Sequence, residues 1–383
     1  MYHLGIPTTR AATLVSSATV AMNHTLPNMS TLQEPAAVVS RLAPTLLRFG
    51  SFQVCNTMDK DSKRQGPSAG LGREVLQKLL DFTIEQHFPS VWAQHNGGDL
   101  MRAAAEGAGI AAKQGMYLEF YREVVLRTAA LAACWNAFGF VHGNLNTENM
   151  SIIGLTLNHE ACGFMECYDP EFVANVDDEC GRYAFRCQAE VCRWNCEKLA
   201  EALMTENVLP SQCLQELEKF WNEYERCYGG MMRLKLGLLG LDEPLDEQLV
   251  HDLLLVMEQT GADFTDTFHS LSMIPLPALK DTIETDGNAT GPQDKETTDG
   301  GFLHHVLPSL PSPQHLAASI APGVSVEDIH MLLMTFRTDP RILKSFGTNA
   351  ARLQVQLERA KRAQALSVLS EEEKRAEDVS KWS

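Results

Sequence analysis

One stretch decides the fold of this chain, and it runs over residues 142–164 as HGNLNTENMSIIGLTLNHEACGF. It opens with an HG turn, continues through short polar residues, and then enters an apolar, β-prone segment that Gly154 interrupts. This order predicts a loop that leads into a β-hairpin. Asn158 follows Glu148 and Asn149 by ten and nine residues. Because Mg²⁺ prefers side-chain oxygens held at fixed spacing, the stretch is a candidate metal-binding loop.

The same stretch resembles the catalytic segment of kinase-like proteins. In those proteins an HxDxxxxN or HGDLHxxN loop precedes a pair of strands and a metal-binding Asp. Counted from His142, the position of the kinase Asp is taken by Asn144 and that of the kinase Asn by Asn149. Since Asn144 carries no carboxylate to act as a base, the sequence disfavours a plain protein kinase.

A closer resemblance covers residues 142–188. The pattern there, HGxxNTxNMSIxGLTxxxxxxGFxxxYDPxFxxNxxDxxGRYAFxxQ, is similar to the signature of the selenoprotein O family of protein adenylyltransferases. Further stretches fit the same family, namely LGIPTTRA (4–11), AAVVSRLAPTLLRFGSF (36–52), FYREVVLRTAALAACWNAFGF (120–140), WNCEKLAEAL (194–203), MRLKLGL (232–238) and TGADFTDTFHSLS (260–272).

The resemblance implies an α+β fold with a protein-kinase-like large lobe, mainly helical, that carries a short catalytic β-hairpin; the small lobe is expected to be mostly absent. Residues 1–55 would be the remnant of the small lobe and the hinge region, and residues 56–278 the helical large lobe with the catalytic loop at 142–164. Residues 279–301 contain few apolar side chains and are expected to be a disordered insertion. Residues 302–383 would form a C-terminal helical segment.

Apolar periodicity predicts the main helices near residues 74–87, 114–138, 188–203, 211–235 and 247–258. Gly139 is expected to end the second of these. In the first helix the predicted core residues are Leu76, Leu79, Leu80, Phe82 and Ile84. The aromatic stripe in the fourth is predicted to be core rather than a base-stacking surface, and it consists of Leu214, Leu217, Phe220, Trp221, Tyr224 and Tyr228.

Two arginines, Arg41 and Arg48, lie within the apolar run 36–54, which is expected to be mostly buried. A buried guanidinium without a partner costs several kcal/mol, so each arginine should meet an anion. Two internal salt bridges would satisfy this requirement, and so would the phosphates of a nucleotide. The family resemblance implies the second interpretation, in which Arg41, Arg48 and Asn158 contact ATP.

The resemblance also assigns roles in a reaction that transfers AMP from ATP to Ser, Thr or Tyr hydroxyls of proteins, with Mg²⁺ as cofactor. Glu148 stands where the family has the Asp that accepts the proton, and Asn149 matches a metal-binding Asn. Asn158 stands where the family has a metal-binding Asp, so a negative charge is lost and weaker metal binding is expected. The extra methylene of Glu148 displaces the base by about one ångström, which can cost about 10²-fold in rate.

Two functions therefore stay open from the sequence. The chain is either an adenylyltransferase or a non-catalytic pseudoenzyme or scaffold that retains the fold. A net charge of −17 disfavours a nucleic-acid partner, and no apolar run is long enough to predict a membrane span. The resemblance implies mitochondrial localisation, but the first residues show no transit-peptide pattern, so the cytoplasm is the alternative. The ten cysteines contain no CxxC pair, which disfavours structural zinc and predicts free thiols.

Overall fold

The computed structural model describes residues 1–25, 31–56, 65–69, 72–103, 110–238, 240, 244–273, 306–322, 324–338 and 350–382. Its described secondary structure is mainly helical with two small antiparallel sheets, which agrees with the predicted α+β class. The kinase-like arrangement of the lobes stays a prediction, and the predicted insertion at 279–301 lies outside the described residues.

The chain forms two compact units, which are described separately. Unit 1 comprises Met1–Trp135, Asn144–Ala161 and Gln188–Cys227, and unit 2 comprises Asn136–Gly143, Cys162–Cys187 and Tyr228–Ser383. No helix in the described part of the chain is long and apolar enough to cross a membrane. All ten cysteines are free thiols, as predicted.

Unit 1 begins with a long hairpin. Strand β1 (Arg10–Thr25) pairs antiparallel with strand β2 (Thr31–Leu42), from Arg10 opposite Leu42 to Thr25 opposite Thr31. The prediction that the run 36–54 is mostly buried is wrong for the part within β2, because Val38, Val39 and Leu42 are 67%, 49% and 65% exposed. In the described residues this sheet has only two strands, so side chains on its faces reach solvent.

The remainder of unit 1 is helical. A 3₁₀ segment spans Phe49–Cys55, and the helices are α1 (Gly72–His87), α2 (Pro89–Gln94), α3 (Gly97–Ala103), α4 (Gln114–Ala137), α5 (Gln188–Leu203), α6 (Cys213–Leu217) and α7 (Lys219–Lys235). Helices α4 and α7 continue into unit 2. In the core of unit 1 the Phe120 ring centroid lies 6.4 Å from that of Phe52 and 4.8 Å from that of Phe88.

The core predictions for these helices are confirmed in part. Leu76, Leu80 and Ile84 are buried, but Phe82 is 53% exposed, because two residues along a helix turn a side chain about 200° away from Leu80. Leu79 is half-buried. The aromatic stripe is only partly core. Leu217 and Phe220 are buried, Leu214 is 46% exposed, and the three remaining members are half-buried.

In unit 2 a two-residue strand β3 (Phe140–Val141) pairs antiparallel with β4 (Gly163–Phe164). The helices that follow α7 are α8 (Asp246–Thr260), α9 (Phe264–Ser272), α10 (Pro313–Ile320), α11 (Val326–Thr338), α12 (Ala350–Ser367) and α13 (Glu371–Trp382). Asp263 caps α9 by accepting a hydrogen bond from the Asp266 N–H at 2.7 Å. The core of this unit includes Val141, Met165, Phe185, Met232 and Phe264.

The predicted hairpin within residues 142–164 is confirmed only in part, as a single bridge around the turn at Gly154. Met150 and Thr156 form that antiparallel bridge, Thr156 and Ser151 also bridge to Thr8 and Arg48, and the short ladder of β3 and β4 instead flanks the polar loop in the sequence. Gly154 makes the turn with a φ of 76°, and a Cβ there would lie 3.0 Å from Arg127 Cβ. A tight turn at this position leaves too few residues on either side for a regular ladder.

Candidate active site

The loop around Glu148 is held by short polar side chains. The side-chain Oδ1 of Asn146 accepts a hydrogen bond from the Glu148 N–H at 3.0 Å, which caps the 3₁₀ turn Thr147–Asn149. The Asn146 amide donates to Asn144 Oδ1 at 3.0 Å. From α5, the buried Asn195 amide donates to the Leu145 carbonyl at 2.8 Å. The backbone of the loop is therefore fixed by its own asparagines and by a neighbouring helix.

The two predicted metal ligands contact each other. Asn149 is only 7% exposed, and its amide donates to the Asn144 carbonyl at 2.9 Å. Its Oδ1 accepts a hydrogen bond from Asn158 Nδ2 at 3.2 Å. Asn158 has a φ of 60°, a left-handed conformation that Asn tolerates better than most residues, and its Oδ1 accepts from the Glu160 N–H at 3.2 Å. The structure thus brings these residues together as a neutral amide pair.

Glu148, the predicted catalytic residue, is exposed and lies against Gly50. A Cβ at Gly50 would lie 2.0 Å from Glu148 Oε1 and 2.6 Å from its Cδ. Glycine at position 50 therefore makes room for the carboxylate, which a sequence pattern alone does not reveal.

Arg48 is placed beside the same loop by backbone hydrogen bonds. The Phe49 N–H donates to the Met150 carbonyl at 3.0 Å, and the Ile152 N–H donates to the Leu47 carbonyl at 3.1 Å, so that Arg48 and Ser151 form an antiparallel bridge. The side chain of Arg48 is half-buried. Within the described parts of the chain, no carboxylate lies within 4.0 Å of its guanidinium.

Arg41 is exposed and is held by Thr9. Its Nε donates to Thr9 Oγ1 at 2.7 Å, and its Nη2 donates to the Thr9 carbonyl. Like Arg48, it forms no ion pair with a carboxylate among the residues described. The interpretation of the two arginines as internal salt bridges is therefore wrong for this part of the chain. Guanidiniums without a carboxylate partner stay available to a bound anion.

Sequence reasoning missed His159, which joins the Arg41 region to Asn158. Its Nε2 lies 3.2 Å from Thr8 Oγ1 and 3.4 Å from Thr9 Oγ1. Burial, followed by the positive charge of Arg41, lowers the pKa of His159 to about 4. The ring is therefore neutral near neutral pH. Its position next to Asn158 was the only available signal in the sequence.

Thr156 anchors the segment before Asn158. Its Oγ1 donates to the Pro7 carbonyl at 2.7 Å and accepts from Trp135 Nε1 at 2.9 Å, while its N–H donates to the Pro7 carbonyl at 2.9 Å. All three residues lie in unit 1, as do the five predicted site residues Arg41, Arg48, Glu148, Asn149 and Asn158. Unit 1 thus contains all five predicted site residues, of which Asn149 and Asn158 contact each other directly.

The side chains present do not fit a tightly bound Mg²⁺ ion. Asn149 and Asn158 are neutral, and the amino group of Asn158 rather than an oxygen points at Asn149. The described residues contain no cluster of three or more His, Cys, Asp or Glu side chains that could hold a metal. Hard divalent cations favour carboxylates, so an amide pair is a weak substitute.

Comparison with known proteins relates this chain to a single family. The sequence profile described as protein adenylyltransferase SelO matches residues 1–298. The chain is 36% identical over 384 residues to the mitochondrial protein adenylyltransferase SelO of Homo sapiens, an alignment that covers 100% of this chain and 52% of the human protein. It is 35% identical over 383 residues to mitochondrial SelO-1 of Danio rerio, covering 100% of this chain and 51% of that protein.

Bacterial relatives match as well. The protein nucleotidyltransferase YdiU of Nitrosospira multiformis is 32% identical over 301 residues, which cover 78% of this chain and 48% of the bacterial protein. The chain spans about half the length of these curated relatives. With the family profile matched over residues 1–298 of 383, the chain belongs to the SelO family of protein adenylyltransferases.

Proposed function

We propose that this chain binds ATP beside the loop 144–161 and transfers AMP to Ser, Thr or Tyr hydroxyls of proteins, at a rate limited by a weakened metal site. The observation that carries the proposal is the pair of arginines. Thr9 holds the side chain of Arg41, the bridge to Ser151 fixes the backbone of Arg48, and neither arginine is neutralised by a carboxylate within the described residues. Guanidiniums of this kind are suited to the phosphates of a nucleotide.

The proposed reaction is a displacement at the α-phosphorus of ATP. The hydroxyl oxygen of the protein substrate forms a new bond to that phosphorus, the bond between the α-phosphorus and the bridging oxygen breaks, and pyrophosphate leaves. Glu148 accepts the hydroxyl proton, and Arg41 and Arg48 bind phosphate oxygens. Asn149 and Asn158 would hold a Mg²⁺ ion that accompanies ATP only weakly, through their amide oxygens, and the ion would supply positive charge to the phosphates.

A second candidate function is supported by the amide pair. The 3.2 Å hydrogen bond from Asn158 to Asn149 occupies an oxygen that a metal would need, and it places no negative charge at that point. A chain with this arrangement could bind protein partners through the same fold without catalysing AMP transfer. This is the scaffold alternative.

The decisive experiment incubates the full chain with ATP that carries a radioactive α-phosphate and measures the transfer of this label to a general acceptor protein. We expect the unchanged chain to label the acceptor slowly. The double variant Glu148→Asp, Asn158→Asp should raise the labelling rate at least 10-fold. This increase should exceed the product of the increases in the two single variants, because both carboxylates act on one bound nucleotide. Thermal shift with ATP measures binding separately, and Arg48→Ala should abolish the shift whereas the exposed control Arg102→Ala should not.

Three outcomes are informative. Labelling by the unchanged chain at the rate of the double variant would show that the metal site is not weakened. An ATP shift without labelling by either protein would refute the proposed AMP transfer and favour the scaffold function. A shift that survives Arg48→Ala would show that Arg48 does not contribute to ATP binding.

We also propose that the chain is mitochondrial. The support is that the human, mouse and zebrafish relatives are named as mitochondrial proteins. Fractionation of cells that express the endogenous protein tests this, and recovery in the cytosol alone would contradict it.

A further inference from the structure

His159 lies between two parts of the candidate site that are distant in the sequence. It follows Asn158 directly, and its Nε2 lies 3.2 Å from Thr8 Oγ1 and 3.4 Å from Thr9 Oγ1. Thr9 in turn holds Arg41, whose Nε donates to Thr9 Oγ1 at 2.7 Å. A continuous chain of side-chain contacts therefore leads from the position after Asn158 to the guanidinium of Arg41.

The two threonines are fixed by the same stretch of the loop. Thr8 and Thr9 are only 7% and 5% exposed. Thr8 forms a parallel bridge with Thr156, and the Thr9 N–H donates to the Thr156 carbonyl at 3.3 Å. The stretch 156–159 therefore holds Thr9 at its backbone, through Thr156, and at its hydroxyl, through the ring of His159.

The hydrogen-bonding capacity of each group gives this chain of contacts a direction. The Thr9 hydroxyl has a single proton, and its oxygen already accepts from Arg41 Nε, so that proton needs an acceptor. The imidazole of His159 is neutral near neutral pH and so carries one nitrogen that accepts, and Nε2 is the ring atom within reach of Thr9. An order in which Arg41 donates to Thr9 and Thr9 donates to His159 is the cooperative one, because each bond polarises the next.

The contacts with Thr9 leave one edge of the Arg41 guanidinium for a phosphate. Nη2 donates to the Thr9 carbonyl, so that Thr9 occupies the edge formed by Nε and Nη2. Among the described residues, nothing further accepts from the Nη1 side, and Arg41 is exposed. The edge formed by Nη1 and Nη2 thus keeps N–H groups that can bind two oxygens of one phosphate in the bidentate geometry.

We propose that His159 is a positioning residue, which acts through Thr9 to hold the guanidinium of Arg41 in the orientation that binds a phosphate of ATP. The inference rests on the proposed function, because ATP is what supplies that phosphate. In this role His159 acts on Arg41 and not on the nucleotide.

Two substitutions separate the two nitrogens of the ring. The amide of a Gln side chain reaches about as far as Nε2 of His, whereas the amide of Asn reaches only as far as Nδ1. His159→Gln therefore keeps a polar group beside the threonine hydroxyls, and His159→Asn removes it. In thermal-shift titrations with ATP we expect binding to weaken about 5-fold in His159→Asn and less than about 2-fold in His159→Gln.

A background variant and a control show whether the effect passes through Arg41. Arg41→Lys keeps the positive charge but lacks the guanidinium that Thr9 orients. In that background His159→Asn should weaken ATP binding no further, so the two substitutions should not be additive. His251→Asn, at an exposed histidine of unit 2, is the matched control and should leave ATP binding unchanged.

A second measurement needs no ATP. Nuclear magnetic resonance of a chain labelled with ¹⁵N in arginine detects the Nε–H groups, and the signal of Arg41 is the one that Arg41→Lys removes. We expect this proton to exchange with solvent slowly in the unchanged chain and in His159→Gln, because it is donated to Thr9. In His159→Asn it should exchange at least about 5-fold faster.

Several results would overturn the inference. An Arg41 signal with the same exchange rate in His159→Asn and in the unchanged chain would remove the positioning role, whether or not ATP binds. Equal losses of ATP binding in His159→Asn and His159→Gln, or a full loss from His159→Asn in the Arg41→Lys background, would show that Nε2 does not act through Arg41. If the unchanged chain gives no ATP shift while the Arg41 signal responds as expected, the proposed function fails and the contact of His159 with Arg41 through Thr9 stands.

Discussion

Lys235 provides a quantitative test of the packing at the end of α4. Its Nζ donates to the carbonyl of Ala137, the last residue of α4, at 2.7 Å. The same ammonium lies 3.7 Å from the ring centroid of Phe268, 4.5 Å from that of Phe264 and 5.7 Å from that of Phe138. No carboxylate within the described residues lies within 4.0 Å of it. Among the described residues, the amine thus contacts one carbonyl and three ring faces.

Burial lowers the pKa of Lys235 from 10.5 to about 8. The difference corresponds to about 3.4 kcal/mol in favour of the neutral amine, and because the ring faces attract the ammonium we expect about 2 to 3 kcal/mol. Between pH 8 and 10.5 the unfolded chain retains the proton whereas the folded chain has lost it. The contribution of Lys235 to stability therefore rises with pH across this window.

The perturbation is Lys235→Met, which keeps the length of the side chain and removes the titrating amine. Urea unfolding followed by circular dichroism gives the free energy of unfolding of both proteins. We expect the difference, wild type minus variant, to rise by about 2 kcal/mol from about pH 7 to about pH 10, while other titrating groups cancel between the two proteins.

Lys78→Met is the matched control, because the Lys78 side chain is 74% exposed and should give a difference that is nearly independent of pH. A Lys235→Met difference that is equally flat would refute the reasoning, since the ammonium would then be as stable in the fold as in water.

Three further substitutions test other parts of the structure. Gly139→Ala should lower the free energy of unfolding in urea by about 2 to 4 kcal/mol, because φ is 68° and the new Cβ would lie 2.7 Å from the ring of Phe264. A Cβ at Gly229 would have no other atom within 4 Å, so the control Gly229→Ala should be neutral or slightly stabilising. Asp169→Asn leaves its partly buried arginine partner uncompensated and should lower the free energy of unfolding by about 2 to 4 kcal/mol, whereas Glu74→Gln should leave the melting temperature unchanged. The pKa of His159 is lowered to about 4 in the folded chain, so as pH falls from 6.5 to 4 the unfolded chain binds this proton before the folded chain does. The contribution of His159 to stability should therefore fall over this range, and thermal melts of His159→Gln should lack this dependence on pH.

The helices were predictable because their apolar residues recur with the period of an α-helix. The predicted helix at 188–203 coincides with α5, and Gly139 follows the end of α4 with a left-handed φ. The failures occur where periodicity gives no information on burial. Phe82 is apolar but falls on the solvent side of α1, and the β2 residues are apolar but belong to a sheet with two described strands.

The members of the candidate site stay a prediction, and only some of the contacts between them follow from the sequence. The pairing of Asn149 with Asn158 could be anticipated from the resemblance, since both were assigned to one metal. Two contacts join residues more than 90 positions apart in the sequence. One is between His159 and the hydroxyls of Thr8 and Thr9, and the other is between the Glu148 carboxylate and Gly50. Spacing rules act over one or two turns of local structure, so such contacts are beyond their reach.

The amide pair gives this loop a property that a carboxylate would not. An Asp at position 158 would place a negative oxygen opposite Asn149 Oδ1, and both groups would be acceptors, so the pair would need a cation to be stable. Asn158 instead donates to Asn149 at 3.2 Å and accepts from the Glu160 N–H, which satisfies its amide without any ion. The left-handed φ of 60° is also one that Asn adopts readily. The loop can therefore hold its conformation without metal, and this independence is what both the weakened-enzyme and the scaffold functions require.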